Sequence, residues 1–280
     1  MNSIGNVIAP ALALLSAAFS TTAIADGLAL GKGTDAKSRV EAAELSYLND
    51  ATKGSSMAVA AALIWAPQAT FSASAGTLQW DVAAGVNKNT ITGDKRVEKQ
   101  ALAIGGRHVY DLNATNQMLT RASFERRRNR LTDGDESAFS AISSFDLQAL
   151  KCFGSGFQAK AFPFVGAYRT STRGNTGSGA LNGSFGGVVV GLDVAVDLAR
   201  GMARWAILDL SLRRQFEQQS SGDFKSADYN IGTVDLRFPL TISGGEGAIA
   251  IGHARGTDRI GGTPWKRQTL LKFSLKFGSA

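Results

Sequence analysis

The chain has 280 residues, 30 Lys and Arg against 23 Asp and Glu, a net charge of +7, 32 Gly, 5 Pro and 1 Cys. An apolar share of 44% excludes a disordered polar chain, and the single cysteine excludes an internal disulfide framework or a Cys-rich metal site. Only the extreme N-terminus carries a long apolar run, which excludes a bundle of membrane-spanning helices.

Residues 1–25 contain no charged side chain. Val7 to Phe19 is apolar apart from Pro10 and Ser16, and Ala23-Ile24-Ala25 precedes Asp26-Gly27. A short apolar core followed by an A-x-A site predicts a secretory signal peptide over 1–25, although its start lacks Lys and Arg. The stretch is short for a spanning helix of about 20 residues. Residues 26–37 follow as a Gly-rich, flexible periplasmic segment that could plug a narrow lumen.

Beyond this point the period is two. Arg39–Leu48 is a candidate first strand; Val40 to Leu45 also has helical propensity, so a short helix is the alternative. Further on, Met118, Thr120, Ala122 and Phe124 alternate with Leu119, Arg121, Ser123 and Glu125. Phe139 to Ala149, Val188 to Leu198, Ala206 to Leu212, Val234 to Leu240 and Leu271 to Phe277 repeat the pattern. Each segment presents one apolar and one polar face. A soluble exported sandwich would bury the apolar faces against each other. A transmembrane barrel would turn them to lipid and keep the polar set inside. Several alternating runs exceed the usual strand length of about 5–6 residues, which favours the barrel.

Connections alternate in length. Short ones fall near Gly76, Asn113–Asn116, Phe153–Gly156, Ala199–Met202 and Ser243–Glu246. Longer polar ones fall near Asn87–Lys95, Ser171–Gly183, Gln218–Ser226 and Gly256–Lys266, with Thr132–Glu136 a weaker member. If the short set is periplasmic, the strand count is twelve and both termini share one side. The fold class is therefore all-β: a transmembrane antiparallel up-and-down barrel over 38–280.

These features, together with the aromatic last strand Leu270-Leu271-Lys272-Phe273-Ser274-Leu275-Lys276-Phe277, make the chain resemble the Gram-negative outer-membrane β-barrel proteins. The resemblance is porin-like and architectural. It implies a place in the cell outer membrane, reached through the periplasm, with lipid, lipopolysaccharide and the barrel-insertion machinery as partners. Such proteins often end on an aromatic residue; here Gly278-Ser279-Ala280 follow Phe277.

Strand parity assigns thirteen charges to the lumen. The basic ones are Arg107, Arg121, Arg127, Arg213, Arg237, Lys272 and Lys276. The acidic ones are Glu125, Asp146, Asp193, Asp197, Asp209 and Asp235. Near-balance implies either ion pairs or opposed charged walls. Arg126, Arg128 and Arg130 end a strand and form a candidate rim facing lipopolysaccharide phosphates. A nucleic-acid surface is not expected, because the cluster continues a strand of an exported chain. Trp65, Trp80, Tyr110, Tyr168, Trp205 and Trp265 suit interfacial girdles.

His108 and His253 have no adjacent Ser or Asn, so no catalytic set is expected. No cofactor or metal is expected either; Asp133, Asp135 and Glu136 read as a turn. The functional expectation is a channel for small hydrophilic solutes. The alternatives are a closed structural or lipopolysaccharide-interacting barrel and, further off, a lipid-modifying barrel enzyme.

Overall fold

The structure is a computed structural model. It describes residues 28–37, 41–50, 54–67, 71–73, 76–90, 98–129, 134–154, 157–174, 182–200, 203–225, 227–242, 245–258 and 263–277. The proposed signal peptide and Arg130 lie outside the described residues.

Fifteen strands form one sheet. They are β1 (Leu28–Gly31), β2 (Ala43–Asp50), β3 (Gly54–Trp65), β4 (Phe71–Ala73), β5 (Gly76–Asn89), β6 (Glu98–Asn113), β7 (Asn116–Asn129) and β8 (Gly134–Asp146). There follow β9 (Lys151–Phe153), β10 (Phe157–Arg173), β11 (Gly183–Arg200), β12 (Ala203–Gly222), β13 (Asp228–Ile242), β14 (Gly245–Asp258) and β15 (Thr263–Phe277). Each long strand pairs antiparallel with the next, and β15 pairs with β2, from Leu275↔Ala43 to Gln268↔Asp50. That pairing closes a 12-stranded barrel and leaves β1, β4 and β9 as short additions. With strands about 4.8 Å apart and tilted about 40°, the barrel is roughly 24 Å across.

The outer face is apolar and bare. Leu102 is 68% exposed, Leu212 62% and Phe124 54%. Large side chains left in water forfeit about 1.5–3 kcal/mol each, so this surface fits lipid. The closed sheet, with its single ring of strands, corrects the sandwich alternative. The aromatics Trp65, Trp80 and Trp205 face outward, and the Trp65 and Trp80 rings meet edge to face at 5.4 Å. Tyr168 is a correction to the girdle set. It is 4% exposed and packs inside with Ile142, Phe164, Phe185 and Val189. Parity explains it: Tyr168 shares its face with Phe164, and the outward positions of β10 are the odd ones, such as Val165.

Twelve strands stand, but the first is not a plain strand. Residues 43–50 are extended, as the strand reading of Arg39–Leu48 required, and the helical alternative is not adopted. β1 and β2 both pair with the same edge of β3, β1 with 62–65 and β2 with 54–60. They therefore occupy one position in the ring. Between them the chain leaves the wall, and its neck is closed by the Lys32 N–H donating to the Glu41 carbonyl at 2.8 Å.

At one end of the barrel the connections are 66–75, 114–115, 147–156, 201–202 and 243–244; this is called the turn end. β1 begins and β15 finishes there. Three of these five are two-residue hairpins, while β4 and β9 fill the longer two. The other end carries 51–53, 90–97, 130–133, 174–182, 223–227 and 259–262, and is called the loop end.

Candidate functional site

The site is the lumen. It is built by the inward positions of the ring and by residues 32–37, which turn into it from the end of β1. The five residues from Gly33 to Lys37 reach about 17 Å at full extension, enough to cross most of the bore and meet side chains from the far wall. Thr34 Oγ1 donates to Glu125 Oε2 at 2.6 Å, and Ser123 Oγ donates to the Thr34 carbonyl at 2.8 Å, both on β7. The Ala36 N–H donates to Ser140 Oγ on β8 at 3.1 Å. The Lys37 ammonium pairs with Asp193 on β11 and lies over the Phe164 ring on β10, 4.3 Å from its centroid. The segment thus leaves the wall between β3 and β15 and fastens to the opposite wall.

Arg127 makes these anchors rigid. Its Nε and Nη2 donate to the two oxygens of Glu125 at 3.0 and 2.9 Å, and both side chains are buried. The neck is held by Lys32, 3.0 Å from Glu44 and 3.5 Å from Glu41. The Glu44 carboxylate holds Lys32 above its ordinary pKa, burial works against this, and Glu41 adds to the rise.

On one side of the segment the lumen is filled. Ala36 packs with Ile142, Phe164, Tyr168, Phe185 and Val189, and Phe224 from the loop end closes over them. Gly191 leaves room for this filling, since a Cβ there would collide with the Phe164 ring. Beside it a cavity of about 840 Å³ remains, bounded by the segment itself and by residues of every ring strand except β8. The space comes from small inward residues: Ala248, Ala250 and Ala254 on β14, with Ala58 and Ala60 on β3.

Nine of the thirteen charges that parity assigned to the lumen line this cavity: Glu125, Arg127, Asp193, Asp209, Arg213, Asp235, Arg237, Lys272 and Lys276. Several are joined in pairs. Arg237 Nε donates to Asp209 at 2.8 Å, and Lys272 Nζ donates to Asp235 at 2.8 Å. Asp235 reaches across Gly252, where a Cβ would displace its carboxylate. Asp146 pairs instead with Lys151 on β9 at 2.7 Å. Arg107, Arg121 and Asp197 lie outside the cavity lining. Arg107 and Arg121 sit toward the turn end, as the register of β6 and β7 places them. Lys99 and Glu136, absent from the parity set, pair at 2.8 Å near the loop end.

The rim is mixed rather than purely basic. Arg126 is 3.6 Å from Asp135, and Lys88 donates to Glu98 at 3.1 Å. Arg126 and Arg128 occupy outward positions of β7, alternating with the inward Glu125 and Arg127. His253 faces outward beside Thr269, and His108 shares the outward parity of Leu102 and Ile104. Among the described residues, no group of three or more His, Cys, Asp or Glu side chains is placed to hold a metal.

Besides Lys99 and Glu136, parity missed the residues of the segment: Lys32, Thr34, Asp35, Lys37 and Glu41. Its glycine content marked it as adaptable. Nothing local marked Thr34 as a partner of Glu125.

No protein-family model and no curated protein matches the chain. Solved structures do. The β domain of the Bordetella autotransporter BrkA aligns over 90% of this chain and 99% of that one, at 11% identity and a TM-score of 0.50. The transport unit of the Escherichia coli autotransporter AIDA-I aligns over 97% of each chain, at 11% identity and a TM-score of 0.45. A KdgM porin in complex with oligogalacturonate aligns over 85% of this chain and 99% of that one, at 8% identity and a TM-score of 0.39. The fold is that of the outer-membrane β-barrels. At such identity the likeness speaks for the fold alone, and one fold carries many activities.

Proposed function

We propose that the protein is a channel of the bacterial outer membrane, passing small hydrophilic solutes through a lumen constricted by its own residues 32–37. The observation that carries this reading is the charge-lined cavity inside a closed barrel with an apolar outer face. Acidic and basic side chains on its walls can replace the hydration of a polar solute, while the segment limits its size. The turn end faces the periplasm, because its two-residue hairpins match the short periplasmic turns of such barrels. Export through the periplasm and insertion by the barrel machinery follow from this placement.

Arg126 and Arg128, at the loop end, then lie in the outer leaflet. Guanidinium forks pair with the phosphates of lipopolysaccharide, and Asp135 next to Arg126 tempers that attraction.

The test is single-channel conductance of the folded protein in a planar bilayer under a salt gradient. Discrete steps support the channel. Silence from heat-modifiable, folded protein removes it. It would favour the second reading, a closed structural barrel, which the fastening of Thr34, Ala36 and Lys37 to the far wall also supports.

A further inference from the structure

Three register rows cross β7, β8 and β10 close to the loop end. Arg128, Asp135 and Arg173 form the first, Arg126, Ser137 and Ser171 the second, and Phe124, Phe139 and Arg169 the third. All nine side chains are exposed, while the alternating Glu125, Arg127, Ala138, Tyr168, Thr170 and Thr172 are buried. The rows therefore lie on the outer face of the barrel. Four guanidinium groups share this face with one carboxylate, Asp135, which lies 3.6 Å from Arg126. Arg169 and Arg173 make no ion pair among the described residues. Two strand spacings separate β7 from β10, so the patch is about 10 Å wide, and it runs about 14 Å along β10 from Arg169 to Arg173. That is wider than a single phosphate. Ser137 and Ser171, side by side at its centre, add hydroxyl donors and acceptors.

An apolar groove of about 540 Å³ starts at the edge of this patch, where Phe124 and Arg126 line it. From Arg126 its wall continues in register through Leu102 and Ala84 to Leu63, and from Phe124 through Ile104 and Val82 to Trp65. Arg126 is near the loop end of β7, whereas Leu63 and Trp65 are at the turn end of β3, so the groove descends along the wall as it leaves the patch. Three strand spacings give it a length of about 14 Å. Ala84, between Leu63 and Leu102, keeps it open.

We propose that patch and groove together are one binding site for a phosphorylated, acylated glycolipid of the outer leaflet. The guanidinium forks hold its phosphates. The two serines meet the hydroxyls of its sugar core, and one acyl chain lies in the groove against Trp65, Val82 and Ile104. A headgroup bearing more than one phosphate uses the full width of the patch, which a phospholipid with one phosphate does not. Continuity of cation and groove at Arg126 sets this stretch of wall apart from the rest of the apolar belt. The inference rests on the outer-membrane placement of the loop end and deepens it: the contact with lipopolysaccharide is a defined site that includes Arg169 and Arg173, not a collar of charge at the end of β7.

The experiment titrates detergent-folded, delipidated protein with three probes and counts bound lipid by native mass spectrometry. The probes are a bisphosphorylated lipid A, the same lipid with its phosphates removed, and phosphatidylglycerol. The expected result is one tight adduct with the bisphosphorylated lipid, and binding about tenfold weaker or more for the other two, the loss of charged hydrogen bonds setting that scale. The double variant Arg169→Gln, Arg173→Gln lowers affinity by a similar factor, and Ala84→Phe lowers it by filling the groove. Equal binding of the three probes by the wild type overturns the site. So does unchanged affinity in the double variant when Arg126→Gln weakens binding, which would leave only the β7 rim. The probe comparison needs no variant, so a misfolded variant leaves the test standing. Conductance is read separately. Silent protein that still selects the bisphosphorylated lipid removes the channel and keeps the site, and conducting protein that binds the three probes alike does the reverse.

Discussion

Thr34 Oγ1 and Glu125 Oε2 are 2.6 Å apart and 91 positions apart in sequence. The bond joins the tip of the lumenal segment to the opposite wall of the barrel. Glu125 is in turn gripped by Arg127 through two hydrogen bonds. The constriction is thus fixed by a buried ion pair rather than by the segment alone.

The first prediction concerns that pair. Glu125→Ala leaves the Arg127 guanidinium buried without its main carboxylate, which costs about 3–5 kcal/mol. Thr34→Ala removes one hydrogen bond to a charged acceptor, about 1.5–3 kcal/mol. The midpoint of heat-modifiable mobility should fall for both, and further for Glu125→Ala. Equal midpoints for the wild type and Glu125→Ala would show that the pair does not hold the structure.

Shortening the segment should open the lumen. The neck residues Lys32 and Glu41 are already hydrogen-bonded, so replacing 33–40 by two glycines preserves β1 and β2 in their shared position. The expected outcome is a folded barrel with higher single-channel conductance. Unchanged conductance from a folded variant would mean that residues 33–40 are not the constriction.

Gly252→Ala tests the cavity wall. The added methyl displaces the Asp235 carboxylate and thereby its bond to Lys272. The loss should be about 1.5–3 kcal/mol, and Lys272→Met should add little on top of it. Additive losses in the double variant would show that the two changes act apart.

The neck also has a pH signature. Lys32 lies in the segment, outside the spanning strands, and Glu44 raises its pKa. A raised cation contributes stability that is full below its unfolded pKa of about 10.4 and is lost only as pH rises through the higher folded value. Stability attributable to Lys32 should therefore be constant from neutral pH to about pH 10. The difference in thermal midpoint between wild type and Lys32→Gln measures it. A difference that shrinks between pH 7 and 9 would contradict the assignment.

Charge reversal at Arg126 and Arg128 should weaken retention of lipopolysaccharide during detergent extraction. Asp135 already sits 3.6 Å from Arg126, so reversal at Arg126 also sets two acidic side chains side by side. Unchanged retention in both would remove the rim as a lipid contact.

Much of the barrel follows from the sequence alone. Side chains alternate sides at every residue of a strand, so Asp193, Asp209 and Lys272 were legible as inward, and Leu192, Leu212 and Leu271 as outward, without any knowledge of partners. The same local rule makes twelve strands countable. Parity also set a trap at Tyr168, whose aromatic ring suggested a girdle while its even position on β10 put it inside. Only the tertiary structure decided how the lumen is used. Thr34 meets Glu125, Lys37 meets Asp193 across 156 positions, and Ala36 enters a cluster built from β8, β10 and β11. Such contacts depend on the closure of the ring and on where the chain leaves it between β1 and β2. Neither is encoded in a period of two, because alternation fixes which side a residue faces and not what stands opposite it across the bore.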